Sequence, residues 1–105
     1  MATVAIDIGT LIGRTPGLHG GVPHIVGKGI TVRRIVSWYQ RGLMPEEVVH
    51  RIGHVTLAEV YAALTYYHAN REEIEADLQQ EALMAQALEQ QYTQAFREII
   101  KSDYD

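Results

Sequence analysis

The chain has 105 residues, 47% of them hydrophobic, and a formal net charge of −4 at neutral pH. That is enough chain for one modest core and too apolar for wholesale disorder. It contains no cysteine, which excludes disulfides, a thiolate nucleophile and a cysteine-based metal site.

No apolar run is long enough to span a bilayer, and the opening MATVAIDIGTLIGR has no basic segment ahead of an apolar core. A cytoplasmic protein without a signal peptide is therefore expected. The charge is unevenly spread. Residues 1–56 hold six Lys/Arg against three Asp/Glu, whereas residues 57–105 hold three against ten. A cationic half followed by an acidic half suits two readings: two different partners, one of them polyanionic, or a solvated acidic helix on a neutral domain.

In chain order, TVAIDI (residues 3–8) is alternating and β-branched and predicts a short strand. LIGRTPGLHGG reads as a loop with turn signals at Pro16-Gly17 and Gly20-Gly21. PHIV and GITV are two strand-like pieces around the tight turn Gly27-Lys28-Gly29. Thr31 predicts a cap for a helix from Val32 to Gln40, with Ile35, Val36 and Tyr39 as its apolar stripe and Gly42 closing it. Pro45, followed by Glu46 and Glu47, opens a second helix to about Arg51, with Val48, Val49 and Ile52 apolar. Thr56 with Glu59 forms a capping box for a third helix through about His68, its stripe being Leu57, Val60, Tyr61, Leu64 and Tyr67.

Three helices joined by short turns, the second and third around Gly53, make the pattern of a helix-turn-helix domain. Asn70 interrupts the third helix. The expected division is thus 1–70 for the β element and helix-turn-helix domain, and 71–105 for an amphipathic helical tail. In the tail, Leu78, Ala82, Ala85, Leu88 or Glu89, Tyr92, Phe96 and Ile99 recur at helical spacing. The fold class is mainly α, with a short N-terminal β element.

Chemistry-bearing motifs are few. GKGI lacks the upstream glycine and downstream hydroxyl of a phosphate loop, so the glycines are turn residues. Among the histidines His19, His24, His50, His54 and His68, only His50 and His54 are four apart, and Gly53 lies between them at a helix end. No nucleophile lies beside a base. The expectation is a protein that is not an enzyme and carries no metal or cofactor. Lys28, Arg33, Arg34, Arg41, His50, Arg51 and Thr56 are the candidate DNA-contacting residues, suited to phosphates more than bases. The third helix is a poor base reader, since its expected outward residues are Ala58, Glu59, Ala62, Thr65 and Tyr66. Leu78, Ala85, Leu88, Tyr92, Phe96 and Ile99 are the candidate partner-binding residues, an apolar stripe suited to a partner's groove or to a second copy, the alternative being that the tail folds back to complete the domain's own core.

Several ordered motifs carry a family resemblance. They are Gly20-Gly21-Val22-Pro23-His24-Ile25-Val26-Gly27, then Ile30 and Val32, then Gly42-Leu43-Met44-Pro45-Glu46-Glu47, and Val55-Thr56 through Val60-Tyr61-Ala62-Ala63-Leu64. Over roughly residues 13–80 the chain resembles the domain of unknown function 433 family. The resemblance implies a dimeric helix-turn-helix protein of the VapB-type antitoxin kind, encoded beside a PIN-like ribonuclease toxin. Such a protein binds its own operator through the N-terminal half and blocks the toxin through its C-terminal segment. A non-DNA-binding dimeric adaptor that keeps only the tail's function is the alternative. The chain departs from the family pattern at Lys28-Gly29, where Thr-Arg is usual, and at Met44, where a capping Ser is usual. The second change costs about 1 kcal/mol of capping.

Overall fold

A computed structural model describes the chain over residues 5–17 and 19–104. It falls into two compact units, Met1–Glu75 and Ala76–Asp105.

Over its described part, residues 5–8, the strand expected at residues 3–8 is absent. Residues 1–4 lie outside the described residues, Ala5 to Asp7 are irregular, and Ile8–Thr10 forms a 3₁₀ turn. The reason is local: Asp7 Oδ1 accepts the Gly9 N–H at 2.9 Å and the Thr10 hydroxyl donates to the Asp7 carbonyl at 2.6 Å. Such side-chain bonds offer the backbone an alternative to a ladder.

The first strand, β1 (Ile12–Gly13), instead lies within the expected loop. It pairs antiparallel with β2 (His24–Ile25), placing Ile12 opposite Ile25 and Gly13 opposite His24. A Cβ at Gly13 would sit 3.1 Å from Val26 Cγ2, a tight contact that the exposed Val26 side chain would have to relieve by shifting. The PHIV–GITV pair survives in reduced form. The Ile25 N–H donates to the Ile30 carbonyl at 2.7 Å and His24 bridges to Thr31, but the second arm gives way to a helix at Val32.

The three short helices stand where local signals put them: α1 (Val32–Gln40), α2 (Pro45–Ile52) and α3 (Leu57–Ala69). Thr31 Oγ1 accepts the Arg34 N–H at 3.2 Å. At α3 the capping box is complete, with Thr56 Oγ1 accepting from Glu59 N at 3.1 Å and Glu59 Oε1 from Thr56 N at 2.8 Å. At α2 the return arm of a box remains, Glu47 Oε1 accepting the Met44 N–H at 3.0 Å. Gly53 closes α2 at φ 90°, a left-handed conformation that glycine adopts without penalty.

The core is Ile25, Val32, Ile35, Val36, Val48, Val60, Ala63 and Ile74, with α3 packed against α1, α2 and both strands. That surrounds α3 on roughly 200° of its circumference, wider than one apolar stripe. Two expectations are corrected in consequence. Glu59 and Ala62, expected outward, are only 8% and 5% exposed, and Leu57 and Tyr61, expected in the stripe, face solvent, Tyr61 at 49%. Tyr39 is likewise exposed, its ring edge-on to His68.

Asn70 breaks the helix as expected, its N–H and side-chain amide both donating to the Tyr66 carbonyl at 2.9 and 3.1 Å. The next helix, α4 (Arg71–Tyr104), contributes its first turn to the first unit: Ile74 is 0% exposed. The compact unit therefore reaches Glu75.

The second unit is the remainder of α4. Leu78 is half-buried, while Ala85, Leu88, Tyr92, Phe96 and Ile99 are exposed, Tyr92 at 74%. A second apolar patch lies on the opposite side of the helix. There Leu83 and Met84, with Ala76 and Ala87, line a shallow groove of about 370 Å³. No helix among the described residues is long and apolar enough to cross a membrane.

Candidate nucleic-acid interface

On α1, Arg34, Trp38 and Arg41 fall at i, i+4 and i+7 and so share the face opposite the buried Val32, Ile35 and Val36. Trp38 is half-buried, and the two arginines are exposed. The packing of α1 against α2 then brings Arg51, from the last turn of α2, onto the same ring. The guanidinium carbons of Arg41 and Arg51 lie 5.2 and 5.6 Å from the Trp38 ring centroid. They are therefore no more than about 11 Å apart. Each contact is a cation–π interaction of about 0.5–1 kcal/mol at an exposed site. Both arginines also end a helix, where a cation offsets the negative end of the macrodipole. The ring organises two guanidiniums, and Arg34, one turn before Trp38 on the same face, extends the surface; His50 is exposed on the last turn of α2.

Of the sequence-predicted residues, Arg41 and Arg51 are brought together, and others have work inside the fold. Lys28 Nζ donates to the His54 carbonyl at 3.0 Å and lies 3.8 Å from Glu59 Oε1, tying the β turn to the α2–α3 corner. This explains the burial of Glu59: folded back to its own helix start, its carboxylate meets an ammonium. Thr56 is a cap, and Arg33 is half-buried. Trp38 escaped the sequence reading. Its signal was there in the spacing Arg34-Trp38-Arg41, but the arrival of Arg51 is a tertiary event.

The outward arc of α3 consists of Leu57, Ala58, Tyr61, Thr65, His68 and Ala69. It presents no Arg, Lys, Asn or Gln, the side chains that read base edges in pairs of hydrogen bonds. His24 is buried, with Nε2 3.3 Å from Thr15 Oγ1 and Nδ1 3.4 Å from the Val22 carbonyl, and serves the fold. Among the described residues no three His, Asp or Glu side chains are grouped to hold a metal ion.

A second polar cluster secures the start of α4. Arg14 donates to the Tyr66 hydroxyl at 2.8 Å and to Glu73, and the Tyr66 hydroxyl donates to Glu73 at 3.0 Å. The bond to Glu73 raises the Arg14 pKa above its ordinary value, and burial raises that of Tyr66. Arg71, bonded to Glu75 at 3.2 Å, is raised by that hydrogen bond and lies over the Tyr67 ring. Arg14, Lys28 and Arg71 thus each have a carboxylate, whereas the structure gives Arg41 and Arg51 an aromatic ring.

A β pair, a helix-turn-helix of three short helices and a long final helix define a small helix-turn-helix protein. More particularly, the chain belongs to the family described as "Protein of unknown function (DUF433)", whose model matches residues 12–67. It is similar to the crystal structure of a DUF433 member protein from Anabaena variabilis, with a TM-score of 0.62 at 30% identity, over 66% of this chain and 68% of that one. No curated protein matches it.

Proposed function

We propose that the chain is an antitoxin-like autoregulator that acts by binding and not by catalysis. In this reading the first unit, as a homodimer, contacts operator DNA, and the tail holds a protein partner, a PIN-like ribonuclease being the kind the family resemblance implies. The observation that carries it is the Trp38 cluster: two guanidiniums held on one ring at the ends of two helices of a helix-turn-helix, with Arg34 beside them. The tail supports the second half. From Ala76 onward it carries two Lys/Arg against six Asp/Glu and leaves Leu88, Tyr92, Phe96 and Ile99 exposed, which suits a cationic, partly apolar groove. The uncharged outward arc of α3 favours the alternative, a dimeric adaptor that associates through the tail without DNA.

Fluorescence anisotropy separates the two. The full chain is titrated onto a labelled duplex from upstream of its gene, with unrelated duplex as competitor, at low and physiological salt. Binding that survives competition supports the autoregulator. Salt-labile binding without preference, or none, leaves the adaptor.

A further inference from the structure

Resting on the DNA-binding reading, we infer that the protein meets DNA through backbone phosphates held by Arg41 and Arg51, with Trp38 as their positioning residue, and that the outward arc of α3 reads no base edges. In a helix-turn-helix the second helix of the motif conventionally supplies the base contacts. Here that helix is α3, and its exposed side chains are Leu57, Ala58, Tyr61, Thr65, His68 and Ala69, none of which has the paired donors and acceptors of Arg, Asn or Gln. The cationic side chains lie on α1 and α2 instead, Arg34 in the first turn of α1 and Arg41 and Arg51 at the C-terminal ends of the two helices.

Two physical points make phosphate the ligand of that cluster. Arginine's planar fork forms paired hydrogen bonds to phosphate oxygens, and a cation–π contact with an indole uses none of its N–H donors. The ring also holds both guanidiniums within about 11 Å of each other before any ligand arrives, so less side-chain entropy is lost when both engage neighbouring phosphates of one strand. Arg34, one turn before Trp38 on the same face, lengthens the track along the backbone. Selectivity would then come from duplex shape, which acts at positions the protein does not touch, and from the spacing of two protomers along the duplex.

The test measures Kd against salt for the full chain on the upstream duplex and on an unrelated one. Each neutralised phosphate contributes about 0.9 to the slope of log Kd on log salt. The double variant Arg41→Ala/Arg51→Ala is expected to make that slope shallower by about 2 per protomer on both duplexes, leaving their affinity ratio unchanged. Arg41→Lys/Arg51→Lys keeps the charge but not the planar fork, so the slope returns while Kd stays several-fold weaker. Tyr61→Ala/Thr65→Ala, on the exposed arc, is expected to change neither quantity. All of these positions are exposed apart from Tyr61, which is half-exposed, and far-UV circular dichroism checks that each variant folds.

An affinity ratio that collapses in Tyr61→Ala/Thr65→Ala, or a slope untouched by the arginine-to-alanine pair, overturns the inference while leaving DNA binding standing. No binding of either duplex by the unmodified chain overturns the DNA reading as well, and makes a carboxylate-bearing protein the better ligand for the cluster.

Discussion

Ile74→Ala isolates the contribution of α4's first turn to the first unit. Ile74 is wholly buried, and the change removes three carbons from the core. At about 0.8 kcal/mol for each buried methylene-sized group the transfer loss is about 2.4 kcal/mol. A cavity left at the meeting of α4 with the core brings the expected cost to about 3 kcal/mol, inside the usual span of about 2–5 for such truncations. For a unit of this size that lowers Tm by about 12–24 °C. The assay is urea unfolding followed in parallel by tryptophan fluorescence and far-UV circular dichroism. Trp38 is the chain's sole tryptophan and lies in the first unit, so its fluorescence reports that unit, whereas the dichroism sums over every helix. A loss below about 1 kcal/mol in the Trp38 transition would refute the reasoning. It would mean that residues 71–75 are carried along by the helix and do not complete the core.

Gly53→Ala places a Cβ in open space but at φ 90°, so its cost is backbone strain alone, about 1–2 kcal/mol, seen as a lower urea midpoint at unchanged m. An unchanged midpoint contradicts a left-handed turn between α2 and α3. Tyr66 ionises less readily folded than unfolded, where its ordinary pKa is 10.0. Its contribution is therefore whole below that value and is lost as pH rises through the folded pKa. As pH rises above 10.0 the unmodified chain should lose stability more steeply than Tyr66→Phe, and parallel curves would rule out the effect of burial. Tyr92→Glu/Phe96→Glu should leave the Trp38 transition within about 0.5 kcal/mol, since both side chains are exposed, while abolishing any self-association seen by sedimentation velocity. Association that persists in this variant removes the tail stripe as the interface.

Much of this molecule is written in short-range chemistry. Thr31, the Pro45-Glu46-Glu47 opening, the Thr56–Glu59 box and the break at Asn70 each act within about four residues, the reach of a single helical turn. The starts of α1, α2 and α3 therefore follow from the sequence by itself, and so do the mainly helical class and the exposed apolar face of the tail. Short-range chemistry also explains one failure: Asp7 turned an alternating segment into a 3₁₀ turn by bonding to its own neighbours. A two-residue strand such as β1 has no period to detect, and only pairing with His24–Ile25 made it one.

What tertiary structure alone decided is which sides of those helices are wet and which cations meet. α3 is enclosed by α1, α2 and the β pair, so Glu59 and Ala62 went inside and Tyr61 stayed out, whatever the stripe suggested. Lys28 was drawn to the α2–α3 corner to meet the carboxylate of Glu59. Arg41 and Arg51 are ten positions apart on two different helices, and only the packing of α1 against α2 sets both guanidiniums on Trp38, because a sequence records which charges a chain carries while the contacts between helices determine where they converge.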